Sequence, residues 1–394
     1  MMIWTGCDRL LRNPSPLVGR RYGLLAHGAS ITEDLRPLHL ALADSPAGAP
    51  AALFGPEHGF YGVEQDMVPS ADERDPWTGA PIVSLYGDDE ASLRPRSDAF
   101  DGLDVLLIDL QDVGTRFYTY AATAIWAAEV ALEADVEVWV LDRPNPLGGT
   151  EVDGNLPSEG FDSFVGAFRM PVRHGLTLGE MVRLEASRRR WPEAGLRVWA
   201  CAGWRRTMLW HETGRPWIAP SPNMPTPATA IAYPGGCLVE ATTLSEGRGT
   251  TRPFQLYGAP GIDPTRLATA LEGRRLPGVT FVPTYFKPQF QKHAGAACGG
   301  VEWVVTDPRT FSAYRCGLEM LRLCFEQFPE VFGWRPEPYE FVTDRPAIDL
   351  LTGSDAYRLA LEAGDAEALE AWLRTFRDDD AVFRHERRGA LLYD

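Results

Sequence analysis

Two apolar runs set the fold class. Leu103–Gln111 (LDVLLIDLQ) and Val136–Asp142 (VEVWVLD) are almost continuously hydrophobic, the pattern of strands buried on both faces. Between them Tyr118–Ala134 is Ala-rich, helically spaced and free of breakers. Strand, helix, strand at this spacing predicts a βαβ unit, and hence a mostly parallel sheet covered by helices. Shorter runs at Tyr22–His27 and Ala51–Phe54 add strands, the second stopped by Gly55-Pro56. Leu176–Arg190 predicts a helix, opened by Thr177 three residues before Glu180, the spacing of a capping box. Arg197–Ala200 begins a further strand. From Trp204 to Gly236 the chain turns rich in Pro, Thr and Gly, as a connecting region does. Beyond it lie a strand at Val301–Thr306, a helix at Phe311–Phe328, and a helical pair or one long helix at Ala356–Phe376. The expected architecture is α/β: a Rossmann-like N-terminal domain with a mostly parallel sheet over residues 1–235, and a smaller α+β domain over residues 236–394.

The polar residues gather where the strands stop. In open α/β sheets, ligands bind outside the carboxyl ends of the strands. The segments there are His27-Gly28-Ala29-Ser30, Pro56-Glu57-His58-Gly59-Phe60, Gln111-Asp112-Val113-Gly114-Thr115-Arg116 and Asp142-Arg143-Pro144-Asn145-Pro146. Glu57, under a proline-fixed turn and beside an apolar ring, suits a general acid, or equally a turn-stabilising hydrogen bond. The run from Asp109 to Tyr120 crowds Asp, Gln, Arg and two Tyr. Asp112 can instead cap the following helix, with Arg116 as its ion-pair partner. Glu129, in mid-helix, is a solvated side chain unless the mechanism demands a second carboxylate. Arg143 and Asn145 stand in a loop stiffened by two prolines and two glycines, and His174 can join the same rim. The glycine-interleaved loop Ser245–Phe254 carries Arg248 and Arg252, which suit an anionic ligand.

Other chemistries find little support. No GxGxxG follows the first strand and no GxxxxGK[ST] occurs, so no dinucleotide or P-loop nucleotide site is expected, and no cofactor. The seven histidines are scattered without HxH or HExxH, so no metal is expected. No GxSxG elbow marks an esterase or amidase. A net charge of −16 disfavours nucleic-acid and membrane-surface binding. The first residues lack a basic region followed by an apolar core, and no run approaches membrane-spanning length. Six cysteines without a CxxC pair read as reduced thiols. The expected location is cytoplasmic.

The motifs together resemble one family. Gly55-Pro56-Glu57-His58-Gly59, Ser84-Leu85-Tyr86-Gly87, the run Asp109–Tyr120, Leu141–Gly149, Arg173–Glu180, Ser221-Pro222-Asn223-Met224-Pro225, Glu246–Thr250, Cys298–Val301 and Ile348–Gly353 are similar to segments of the DUF1343 or YbbC-like proteins. These are described as exo-β-N-acetylmuramidases (glycoside hydrolase family 171). The resemblance spans about Gly19 to the C-terminus. It implies a cleft between the two domains and release of β-linked N-acetylmuramic acid from the non-reducing end of peptidoglycan fragments. It also implies Glu57 as a catalytic carboxyl and Glu129 as a second one. His58, Gln111, Asp112, Arg116, Tyr118, Arg143, Asn145, His174, Arg248 and Arg252 are the candidates for binding the substrate, whose lactyl carboxylate asks for local cations. The family's usual VEGP reads Val152-Asp153-Gly154-Asn155 here. A muropeptide-derived substrate is the expected partner; a non-catalytic muropeptide binder is the alternative.

Overall fold

The structure is a computed structural model that describes residues 2–65, 68–69 and 73–394. Ten strands are named in chain order: β1 (Tyr22–Ala26), β2 (Ala52–Gly55), β3 (Glu73–Arg74), β4 (Pro81–Ser84), β5 (Val105–Asp109), β6 (Glu137–Leu141), β7 (Leu196–Trp199), β8 (Leu256–Ala259), β9 (Val279–Phe286) and β10 (Cys298–Val305). The helices are α1 (Gly6–Arg12), α2 (Leu38–Ala43), α3 (Tyr120–Glu133), α4 (Leu178–Arg189), α5 (Pro227–Gly236), α6 (Pro264–Glu272), α7 (Ala313–Gln327), α8 (Ala347–Thr352), α9 (Ala356–Ala363) and α10 (Ala366–Glu386).

The first seven strands form one sheet in the order β3-β4-β2-β1-β5-β6-β7, parallel except for the short edge pair β3–β4. β1 and β5 are buried along their whole length, as their unbroken apolar runs require. The chain winds outward from β1 first toward β4 and then toward β7, so the switch point lies between β1 and β5. That crevice is filled by the protein itself. His27, just past β1 and buried, accepts the Gln111 amide on Nε2 at 2.9 Å, which leaves Nδ1 to donate to the Pro220 carbonyl at 3.2 Å. Arg143 forks onto Asp109 at 2.6 and 2.8 Å beside it. α3 is buried almost all round in its first nine residues, and its alanines let it lie close to the sheet. α4 begins with the capping box expected at Thr177 and Glu180: the Glu180 amide reaches Thr177 Oγ1 at 3.3 Å, and the Thr177 amide reaches Glu180 Oε2 at 3.0 Å.

The second sheet, β8-β10-β9, is antiparallel. α6 packs on β9 and β10, and α7 on α5 and α6. The Pro-rich connector ends in α5, where a Cβ on Gly235 would sit 1.8 Å from the Ala313 carbonyl oxygen. Only glycine permits that backbone contact, which seats the end of α5 on α7. The helical stretch Ala356–Phe376 is a pair, broken at Gly364 (φ 64°) between α9 and α10. No helix among the described residues is long and apolar enough to cross a membrane.

Candidate active site

A narrow crevice opens beyond the carboxyl end of β2, one strand over from the filled switch point. Its N-terminal wall is Glu57 and His58 from the turn after β2, Phe117 to Thr119 before α3, and Ser221, Asn223 and Met224 from the proline-rich connector. Its other wall is Tyr233, Glu240, Arg248, Phe254, Tyr339 and Glu340. At about 30 Å³ its free volume holds one or two waters. A wider groove of about 670 Å³ between α4 and residues 386–390 contains none of the motif residues.

The turn Pro56–Gly59 aims the acid. Gly59 N–H closes onto the Pro56 carbonyl at 2.9 Å, and His58 takes a left-handed conformation (φ 71°). The Glu57 side chain is 5% exposed and accepts a hydrogen bond from Thr119 Oγ1 at 2.6 Å. Thr119 is the N-cap residue of α3, yet its side chain makes no capping bond. A cap of this kind ordinarily contributes about 1 kcal/mol to a helix; here the hydroxyl is directed to the carboxylate instead. His58 Nδ1 donates to the Glu64 carbonyl at 2.9 Å, leaving Nε2 as the acceptor nitrogen.

Across from these residues the wall is aromatic and charged. Tyr233 meets the Phe254 ring edge-on at 4.8 Å, and Arg248 stacks over Phe254 at 4.9 Å. Arg248 is ion-paired with Glu240 at 2.9 Å and Glu246 at 3.3 Å, and Lys292 bonds Glu246 at 3.1 Å. Burial works against the Glu246 charge, but Lys292 and Arg248 outweigh it and hold the carboxyl below its ordinary pKa. Tyr118 packs on Tyr120 at 4.7 Å, and burial raises its phenol pKa.

Of the residues expected at the site, Glu57, His58, Tyr118 and Arg248 come together in the crevice. The others are committed to protein partners, which corrects their reading as ligand contacts. Gln111 Nε2 donates to the carbonyls of Asp112 and Pro144 at 2.7 and 2.9 Å. Asp112 accepts the Gly114 amide at 2.6 Å and lies 3.5 Å from His174 Nε2, while His174 Nδ1 accepts the Leu176 amide at 3.1 Å. Arg116, 6% exposed, donates to the carbonyls of Asn155, Met170 and Leu351 at 2.8, 3.0 and 2.8 Å. Burial works against the charge of Arg143, but Asp109 outweighs it and raises its pKa, so the pair is an internal clamp. Asn145 bonds the Leu176 carbonyl and the Leu147 amide, each at 2.9 Å; a Cβ at Gly114 (φ 84°) would come within 2.5 Å of its Oδ1. Arg252 is exposed and ion-paired with Glu302.

Glu129 is not brought to the crevice. It stands ten residues beyond Thr119 along α3, about 15 Å at helical rise. It bridges Arg94 at 2.7 Å and Arg189 at 2.6 Å. Burial pushes its carboxyl up, but these two arginines outweigh that and hold it below its ordinary pKa. Among the described residues, Glu240 and Glu340 are the other two carboxylates that line the crevice. Glu240 stands five residues before the Ser245–Phe254 loop, and Glu340 follows Pro338-Tyr339 with no turn signal around it.

Known proteins fit this geometry along the whole chain. The N-terminal domain model of the exo-β-N-acetylmuramidase NamZ family matches residues 22–228, and its C-terminal domain model matches residues 231–393. The chain belongs to the NamZ family. It is 38% identical over 392 residues, 99% of its own length and 91% of the relative's, to a Bacillus subtilis (strain 168) protein named peptidoglycan β-N-acetylmuramidase NamZ. A crystal structure of a DUF1343 family protein from Bacteroides fragilis superposes with a TM-score of 0.87 at 30% identity, covering 100% of both chains. A second from the same organism gives 0.73 at 28% identity, over 100% of this chain and 99% of that one. The two NamZ models meet inside α5, the helix that joins the two sheets.

Proposed function

We infer that this chain is an exo-acting glycoside hydrolase that releases β-linked N-acetylmuramic acid from the non-reducing end of peptidoglycan fragments. The observation that carries the reading is a buried carboxyl, Glu57, held by the Thr119 hydroxyl in a crevice that both NamZ domains line. The near full-length likeness to a peptidoglycan β-N-acetylmuramidase supplies the sugar.

Glycoside hydrolysis needs a proton at the departing oxygen. Glu57 is the group proposed to give it, because the turn and Thr119 fix its carboxyl at the crevice wall. Arg248, stacked on Phe254 and tied to Glu240 and Glu246, is the cation proposed to read the lactyl carboxylate of the substrate.

The test is substrate discrimination. The purified protein is expected to release free N-acetylmuramic acid, or an aryl aglycone, from a β-muramide and not from the matching β-glucosaminide. Equal turnover of both would remove the lactyl reading of Arg248. Binding of muropeptides without turnover would replace the enzyme by a muropeptide binder.

A further inference from the structure

The C-terminal wall of the crevice carries a turn built against backbone preference. Tyr339 and Val342 exchange backbone hydrogen bonds, the Tyr339 amide to the Val342 carbonyl at 3.1 Å and the Val342 amide to the Tyr339 carbonyl at 3.0 Å. The two residues between them, Glu340 (φ 46°) and Phe341 (φ 69°), are both left-handed. A two-residue hairpin of this hand ordinarily takes Asn-Gly or Gly-Gly, because a Cβ is strained there. Strain of this kind persists where the surrounding structure holds it for a purpose.

Both side chains are held from the N-terminal domain. The Phe341 ring packs on Tyr86, 5.6 Å between centroids, and the Tyr86 hydroxyl donates to Glu340 Oε2 at 3.2 Å. Tyr86 belongs to the Ser84-Leu85-Tyr86-Gly87 segment that leaves β4, a motif with no role in the reading above. Glu340 is 4% exposed and lines the same crevice as Glu57. Its neighbour on that wall, Glu240, is ion-paired with Arg248 at 2.9 Å and accepts the Tyr339 hydroxyl at 2.7 Å.

Resting on the muramidase reading of the site, we propose that Glu340 is the second carboxylate of the reaction, on the anomeric side of the bond that Glu57 protonates, and that Tyr86 is its positioning residue. When the C1–O bond breaks, its electron pair leaves with the oxygen, which takes the proton of Glu57. The positive charge left on C1 and the ring oxygen faces the Glu340 carboxylate in a site shielded from water. Water then adds to C1 and gives its proton to Glu57, which restores the acid. The strained turn and the Tyr86 contact together aim the carboxylate.

Full-length wild type and three variants on an aryl β-N-acetylmuramide test this. Glu340→Gln is expected to lose about 10²–10³-fold in kcat, because an activated leaving group still generates the charge that Glu340 faces. Tyr86→Phe is expected to lose roughly five- to thirtyfold in kcat with KM within about twofold. Glu340→Gly is expected to be as inactive as Glu340→Gln yet to melt no lower than wild type, since glycine accepts a φ of 46° without strain. Added formate is expected to restore its activity by about tenfold or more, by entering the space the carboxylate left. A merely structural glutamate gives no such rescue. Glu340→Gln within about threefold of wild type, or a folded Glu340→Gly that formate does not revive, overturns this inference alone. A wild type that cleaves no muramide overturns the reading of the site, and this inference with it.

Discussion

Replacing Arg116 by methionine separates a staple from a ligand. Its guanidinium meets three carbonyls, those of Asn155, Met170 and Leu351, and so ties the Pro157-side loop and α8 to the segment after β5. Burial pulls its pKa down to about 10, still well above neutrality, so all three bonds have a charged donor at pH 7. Methionine fills much of the same volume and donates nothing, which leaves three buried carbonyls unpartnered. At about 1–3 kcal/mol each, with some relaxation of the loops, the loss is roughly 3–6 kcal/mol. That is a large share of the ~5–15 kcal/mol by which native proteins are stable. Urea unfolding followed by tryptophan fluorescence is expected to show a correspondingly lower midpoint. Activity on an aryl β-muramide, measured well below the melting transition, is expected to keep its KM. Arg116→Lys, able to satisfy only part of the set, is expected to fall between. The reasoning is refuted if Arg116→Met loses less than about 1 kcal/mol while its KM for the muramide rises more than about tenfold.

Glu57→Gln is expected to lower turnover of a natural disaccharide by roughly 10²–10⁴-fold while damaging an activated aryl substrate far less, because only the poor leaving group needs the proton; equal damage to both in steady-state assays would make Glu57 a turn residue. Glu129→Gln is expected to stay within about threefold of wild type on both substrates and to lose about 1 kcal/mol or less, since its ion pairs with Arg94 and Arg189 are partly exposed. A hundredfold fall in its kcat would return Glu129 to the reaction. Burial first, and the Arg143 charge second, lower the His27 pKa from 6.5 to about 3. The unfolded chain takes up that proton below pH 6.5 while the fold refuses it, so this contribution to stability is full above pH 6.5 and is lost as the pH falls toward 3, by roughly 4–5 kcal/mol in all. Stability measured against pH is expected to flatten over that interval in His27→Gln; an unchanged slope would remove His27 from the acid response.

Much of the fold was legible because its signals are redundant. A strand buried on both faces admits little but apolar residues, and Val105–Asp109 and Glu137–Leu141 fall inside the two runs that predicted them. The Thr177–Glu180 box is likewise a local feature that the chain spells out, whereas the apolar pattern over Ala356–Phe376 left a pair and one long helix equally open until the structure placed the break at Gly364. The short β3 and β4 were not legible: their outer residues are exposed and carry no period. Family resemblance singled out Glu57 and the segment that holds Arg248, and both residues line the crevice. It misled at Glu129, because a glutamate in an Ala-rich helix looks the same whether it faces a crevice or two arginines. Glu340 was invisible for a different reason: a left-handed turn is read from Gly and Asn, and this one contains neither.

The rim residues show why polar strand ends are ambiguous. The same Asp, Gln, Arg and His that grip a ligand can satisfy the backbone groups that loops leave behind, and both uses favour the same positions. In this chain the second use dominates between β1 and β5, where an α/β sheet ordinarily receives a ligand. His27, Gln111 and Arg143 bond to protein there, Asp112, Arg116 and Asn145 do so in the loops beside it, and the crevice moves one strand over, to β2. The displacement divides the site between two walls. Glu57 stands on a turn braced by the sheet and by α3, while Glu240, Arg248 and Glu340 stand on the other wall. The walls meet across a space for one or two waters, so the site is built from both halves of the chain.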